Sequence, residues 1–156
     1  MHRVFDAGYE YIMGVSMKKE LKNLMIIAME ARKYSYCPYS NYSVGAALLC
    51  KDGRVITGSN IENASYGATN CAERTAFFKA VSEGEKDFVA IAISGGFKDM
   101  ESDSFAYPCG VCRQVMREFC DEEKFKILVV KNEKEYEEYL LKDLLPKSFG
   151  PNNLSR

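Results

Sequence analysis

Cys109 and Cys112 form a C-x-x-C spacing at the start of the segment "PCGVCRQVMREFC". Residues three apart on a helix share one face, and their side chains lean back toward the helix N-terminus. Such a pair serves as a redox couple, as half of a zinc site, or as plain packing. Cys71, in "NCAERTAFFKA", shifts that balance, because it also opens a helical pattern, one crossover earlier. Consecutive crossovers on a sheet bring such helix ends together. Helix N-termini favour thiolates, since the backbone dipole and free N–H groups stabilise negative charge. Three thiolates at two helix ends make a three-ligand zinc site. A structural zinc site is closed by four protein ligands, whereas a catalytic one keeps a position open for water. No conventional fourth ligand is evident, and the single histidine, His2, lies in the leading segment.

Glu73 stands two residues after Cys71. In mid-helix such positions point apart, but at the first turn both side chains can project beyond the helix end. A carboxylate there can move a proton between bound water and a substrate. The plainer role is to complement the helix dipole. Zn²⁺ with three thiolates carries a net negative charge, which makes bound water harder to ionise than neutral ligands do. Arg74, beside Glu73, and Arg113, beside Cys112, are the candidates to donate to the sulfurs and offset that charge. For either arginine the alternative is a solvated surface charge.

These residues must be held by a scaffold, and 156 residues suffice for one domain with a core. A 47% hydrophobic, 28% charged composition is that of a globular chain, and a net charge of -1 argues against a polyanion binder. No apolar run is long enough to cross a bilayer. The first sixteen residues lack the basic start and continuous apolar stretch of a signal peptide. We expect residues 1–16 to be an N-terminal extension, residues 17–156 to form the single domain, and the protein to be cytoplasmic. In a reducing compartment, clustered cysteines indicate metal or catalysis rather than a disulfide framework.

Apolar residues at Leu21, Leu24, Met25, Ala28 and Met29 predict an amphipathic helix from Met17 to about Tyr34. The pattern breaks at Pro38 and Gly45. "VGAALLC" and "RVITGSNIEN" read as antiparallel strands joined across "KDGR", with Asp52-Gly53 as the tight-turn signal. A helix follows with Ala72, Ala76, Phe77, Ala80 and Val81 on one face and Gly84 at its C-cap. "FVAIAISGG" and "FKILVV" read as strands buried on both faces. Between them lies a helix with Val111, Val115 and Phe119 on one face. The tail "NEKEYEEYLLKDLLPKSF" fits a helix, or a short strand and then a helical turn. This order predicts an α/β fold, a three-layer α/β/α arrangement with a mixed sheet of about five strands and helices on both faces.

"NCAERTAFFKA" and "PCGVCRQV" resemble the two zinc motifs of cytidine deaminase in its small, three-cysteine, homotetrameric form. "YCPYSNYSVGAALL", "GSNIENASYG" and "LLPKSF" complete the resemblance in the family's order, over roughly residues 20 to 150. The broader zinc-deaminase signature is H-x-E followed by P-C-x-x-C, and here Cys71 stands at the histidine. The resemblance implies one zinc per subunit on Cys71, Cys109 and Cys112, with Glu73 as proton carrier, while the charge count keeps Arg74 as the offset. It implies conversion of cytidine and deoxycytidine to uridine and deoxyuridine with release of ammonia.

By the same resemblance, Asn60 and Glu62 bind the ribose, and Tyr42 and Ala72 belong to the nucleoside pocket. Phe149 and Tyr66 match residues that reach a pocket shared between subunits of a homotetramer. Tyr42 stands where the family usually has phenylalanine, so its hydroxyl needs a partner if buried. On the sequence alone, Asn60 to Asn63 could equally be a polar strand end, and Phe149 could fill its own core. Tyr34, Tyr36 and Tyr39 read as packing or interface, and Cys37, Cys50 and Cys120 as small buried residues. The partner expected is a small nucleoside, with neither nucleic acid nor membrane. The nearest rival is a deaminase of a related aminopyrimidine nucleoside such as blasticidin S. A structural zinc module leaves Glu73 unexplained, and a redox C-x-x-C protein leaves Cys71 unexplained.

Overall fold

The computed structural model describes residues 6–154, with side chains from Met17 onward. His2 therefore lies outside the described residues. Helix α1 spans Asp6–Ala31 and is followed by a 3-10 turn at Arg32–Tyr34. It begins earlier than the apolar spacing predicts, since the helical backbone runs on ahead of Met17 without a break.

Strands β1 (Tyr42–Cys50) and β2 (Val55–Ser59) form the predicted antiparallel hairpin. Its turn closes through Gly53 N–H to the Cys50 carbonyl at 3.0 Å, with Gly53 at φ +90°. Helix α2 (Ala72–Ser82), strand β3 (Phe88–Phe97), helix α3 (Gly110–Phe119) and strand β4 (Lys126–Val130) follow in the expected order. The tail resolves as a strand, β5 (Tyr136–Leu140), and one helical turn, α4 (Leu141–Leu144). Among the described residues no helix is long and apolar enough to cross a membrane.

The five strands lie in the order β2-β1-β3-β4-β5. β3 and β4 are parallel and the other neighbouring pairs antiparallel, so the sheet is mixed. Period-two alternation sends successive side chains to opposite faces. On one face Ala47, Leu49, Ala90, Ala92, Leu128 and Val130 pack against Leu24, Met25 and Ala28 of α1. On the other, Ala46, Leu48, Ile91, Ile93, Ile127 and Val129 pack against α2 and α3. The result is the three-layer arrangement expected, with two cores of similar make-up.

Gly45 does not break the chain, as its type suggests, but lies inside β1. A Cβ there would come within 2.2 Å of the Ala28 carbonyl oxygen, so its absence lets α1 approach the sheet. Gly58 does the same under α2, where a Cβ would fall 2.3 Å from the Ala72 carbonyl oxygen. Phe77 of α2 joins the two helices of that layer. Its ring lies 5.0 Å from Phe88 and 6.1 Å from both Phe119 of α3 and Phe125. Truncating so enclosed a ring costs roughly 3–5 kcal/mol. The buried face of α3 is Cys112 and Met116, flanked by Val115 and Phe119. Val111, expected on that face, points outward and is exposed.

Candidate metal centre and nucleoside cleft

β2 and β3 both run antiparallel to β1, so the helices that follow them begin at the same end of the sheet. Cys71 is the N-cap of α2 and Cys109 the N-cap of α3. The N-cap and N3 side chains of a helix lie side by side, the geometry a capping box exploits. That places Cys112, at N3 of α3, beside Cys109. The three sulfurs gather within 4.8 Å of one another, and Cys71 Sγ lies 3.8 Å from Cys109 Sγ. All six cysteines are free thiols. Cys37, Cys50 and Cys120 are buried away from this cluster, Cys50 with the carboxylates of Asp52 and Glu85 near its sulfur.

The electrostatics at this point favour a cation. Cys112 hydrogen-bonds to Cys71 and, with Arg74, pulls it down to about 5, while that same bond pushes Cys112 up. Arg74 Nη2 donates to Cys71 Sγ at 3.4 Å. Burial works against the guanidinium charge, yet the bonds to the Cys71 and Cys112 sulfurs outweigh it and strengthen the cation. Its Nε is buried without a hydrogen-bond partner among the described residues. Arg113 does not share this task. Contrary to its expected placement, it donates to the carbonyls of Pro108 and Leu144 at 2.7 Å each. Its guanidinium is taken up by these two carbonyls rather than by a sulfur.

Glu73 is 4% exposed, and burial pushes its carboxyl up to about 7. A helix-dipole partner would sit in solvent, so this burial sets Glu73 apart from an ordinary first-turn acid. Glu73 lines the same cleft, of about 340 Å³, as Cys71, Cys109, Tyr42, Asn60, Glu62 and Ala72. Two isolated bridges hold the Asn60–Glu62 segment there, Ile61 pairing with both Tyr36 and Asn70. Asn60 Oδ1 accepts from Val44 N–H at 2.8 Å, and its Nδ2 donates to the Tyr42 carbonyl at 2.9 Å. The amide is thus fixed in orientation with one N–H and one lone pair to spare. Glu62 Oε1 accepts from the N–H groups of Tyr39 and Ser40 at 3.0 and 3.2 Å. Desolvation works against its charge, but these bonds prevail and hold Glu62 below the usual carboxylate range.

Tyr42 is half-buried, with its ring edge-on to Phe97 at 5.7 Å. Tyr66 and Phe149 do not line this cleft. They are 74% and 60% exposed, which rules out Phe149 as a filler of its own core. The cleft also contains residues that pattern alone does not single out, among them Thr69, Asn70, Ala106 and Tyr107. Ala106 and Tyr107 directly precede Pro108-Cys109, and that adjacency was the available signal. Tyr107 is oriented by its hydroxyl, which donates to Glu137 at 2.7 Å.

Three convergent thiols beside a buried, proton-poised carboxylate define a zinc-type hydrolytic site with room for a small ligand. The comparisons agree. The model of the cytidine and deoxycytidylate deaminase zinc-binding region matches residues 18–128. A cytidine deaminase of Halalkalibacterium halodurans is 49% identical over 82% of this chain and 92% of its own. One from Sporosarcina psychrophila is 42% identical over 87% and 96%. The crystal structure of cytidine deaminase from Burkholderia pseudomallei superposes with a TM-score of 0.74 at 43% identity, covering 81% of this chain and 97% of that one. The chain belongs to the cytidine deaminase family. Its cofactor is zinc, and the three clustered thiols are a donor set of the right kind and number to hold it.

Proposed function

We propose that the protein hydrolytically deaminates cytidine and deoxycytidine, giving uridine and deoxyuridine with release of ammonia. The observation that carries this reading is Glu73, buried in the wall of the thiol cleft with its carboxyl raised to about 7. Zinc on Cys71, Cys109 and Cys112 supplies, when bound, the Lewis acid that readies water for attack at neutral pH. Glu73 would take one proton from that water and hand it to the pyrimidine ring nitrogen, then take the second from the hydroxyl added to the ring carbon and give it to the departing amine. A group near neutrality both accepts and returns protons at working pH. Arg74 offsets the excess negative charge of three thiolates through its bond to Cys71.

Asn60 and Glu62 bracket the sugar hydroxyls, with Asn60 oriented by its two main-chain bonds and Glu62 kept ionised. The Glu62 charge repels a substrate phosphate, which favours nucleosides over nucleotides. Tyr42 and Ala72 line the base pocket. Exposed Tyr66 and Phe149 are completed by neighbouring subunits of a homotetramer, so that active sites are shared. Residues 17–156 form the deaminase domain, residues 1–16 an extension, and the protein works in the cytoplasm on a free nucleoside.

The test is a substrate panel of cytidine, deoxycytidine, their monophosphates and blasticidin S, followed by ultraviolet absorbance. Turnover of the two nucleosides is expected. Turnover of monophosphates alone would overturn the role of Glu62, and turnover of blasticidin S alone would overturn the substrate assignment.

A further inference from the structure

The guanidinium of Arg113 lies between two carbonyls from distant parts of the chain. Its Nε donates to Pro108 O and its Nη1 to Leu144 O, each at 2.7 Å. Such charge-assisted, two-point bonds are among the stronger ones available to a side chain. Its main-chain N–H meanwhile donates to the Cys109 carbonyl at 3.0 Å. One residue therefore holds the peptide before Cys109 by its side chain and the carbonyl of Cys109 by its backbone. Cys109 makes no side-chain capping bond of its own. Its aim at the other sulfurs thus depends on backbone that Arg113 secures.

The second carbonyl, Leu144, closes α4 and opens the tail that carries Phe149. That tail is fastened to α3. Gln114 Nε2 donates to the Phe149 carbonyl at 2.9 Å, and Arg117 Nε to Ser148 Oγ at 3.0 Å. Glu122 accepts from Ser148 Oγ at 2.9 Å and pairs with Arg117 at 3.2 Å. Gly150 is buried against the same arginine, where a Cβ would stand 2.6 Å from Arg117 Cζ. The helix that supplies two of the three thiols is thus also the bed of the tail, and Arg113 bonds to both the Cys109 turn and the start of the tail.

We propose that Arg113 is a positioning residue that couples the metal centre to the C-terminal tail, so that metal loading orders the tail and tail docking tightens metal binding. Linkage makes the two effects reciprocal. The inference rests on the proposed function only in taking Cys109 as a zinc ligand, and its readouts need no turnover. Lysine keeps the charge but cannot span two carbonyls with a rigid fork, so Arg113→Lys separates geometry from charge.

The experiment compares wild type, Arg113→Lys, Arg113→Gln and Arg117→Gln. Zinc affinity is measured by chelator competition. Amide exchange is followed in peptides covering residues 145–154 and, as a control for global unfolding, β3, with zinc bound and with zinc stripped. In wild type, stripping zinc should speed exchange in the tail more than in β3. In both Arg113 variants zinc affinity should fall about tenfold. Their tail should exchange at one fast rate with or without zinc, while β3 stays protected. Arg117→Gln should loosen the tail and, by the same linkage, weaken zinc binding, but by less than the Arg113 variants because the bonds flanking Cys109 are untouched; unchanged zinc affinity with a loosened tail would overturn the coupling. Wild-type tail exchange indifferent to zinc would overturn the coupling, and it decides the matter even if both Arg113 variants misfold. Wild-type zinc affinity in folded Arg113→Lys would also overturn it. A protein that deaminates nothing in the substrate panel but shows zinc-dependent tail order would fail the proposed function and keep this inference.

Discussion

Helix α2 starts from Cys71 and helix α3 from Cys109, each cysteine filling an N-cap with extended backbone, φ -73° and ψ 156° in one, φ -69° and ψ 164° in the other. Beyond that shared start the two turns diverge. At N2 stands Glu73 in α2, 4% exposed, and Val111 in α3, 58% exposed. At N3 stands Arg74, bonded to Cys71 Sγ, and opposite it Cys112, a third sulfur. The α2 start thus supplies one thiol, the proton carrier and the counter-charge, while the α3 start supplies two thiols. N-cap and N3 lie side by side in any helix, so a residue's place in the first turn decides whether it can reach the metal position. Arg113, at N4 of α3, bonds to the Pro108 and Leu144 carbonyls instead.

The sharpest way to break this comparison is to remove what both starts are built around. Chelation of zinc should abolish turnover and lower the melting temperature, and added zinc should restore both; activity surviving complete metal loss by atomic absorption would dissolve the division of labour. Next comes Glu73→Gln, which has no counterpart in α3. It should retain zinc and fold while kcat falls about 100- to 10,000-fold. Near-normal kcat would take Glu73 out of the proton path.

Arg74→Gln should have a smaller effect, about tenfold in zinc affinity or kcat. An unchanged enzyme would mean the negative charge is offset elsewhere. Smallest is Gly58→Ala, whose Cβ would press the Ala72 carbonyl oxygen and disturb the first turn of α2 but not that of α3. It should cost about 1–3 kcal/mol in thermal or denaturant unfolding. A wild-type melting curve would show that the first turn of α2 tolerates displacement.

Much of this architecture is legible in the residues. The apolar runs of β3 and β4, the Asp52-Gly53 turn between β1 and β2 and the helical spacing in α1 and α2 are local patterns, and they appear as read. The sites of misreading share a cause. Gly45 looks like a breaker because glycine is permissive, but its use here is to let α1 come close. Val111 shares a helical period with Val115 and Phe119, yet the core lies on the Cys112–Met116 side. Arg113 sits next to a ligand in sequence, yet its guanidinium bonds to two carbonyls rather than to a sulfur. Asn60 and Glu62 reach the cleft through pairings of Ile61 with Tyr36 and Asn70, which no local pattern announces.

Residue type and spacing by themselves determined the ingredients: three thiols at two helix starts, a carboxylate two residues from one of them, and the alternation of strands and helices along the chain that brings those starts together. These are local or topological facts, and periodicity records them. Only the tertiary structure decided that Glu73 is buried and so poised near neutrality, that Arg74 rather than Arg113 reaches a sulfur, and that the tail lies on the helix bearing Cys109 and Cys112. Burial and hydrogen-bond partners depend on atoms far apart in the chain, and until the fold closes around a side chain its chemistry is that of the free residue.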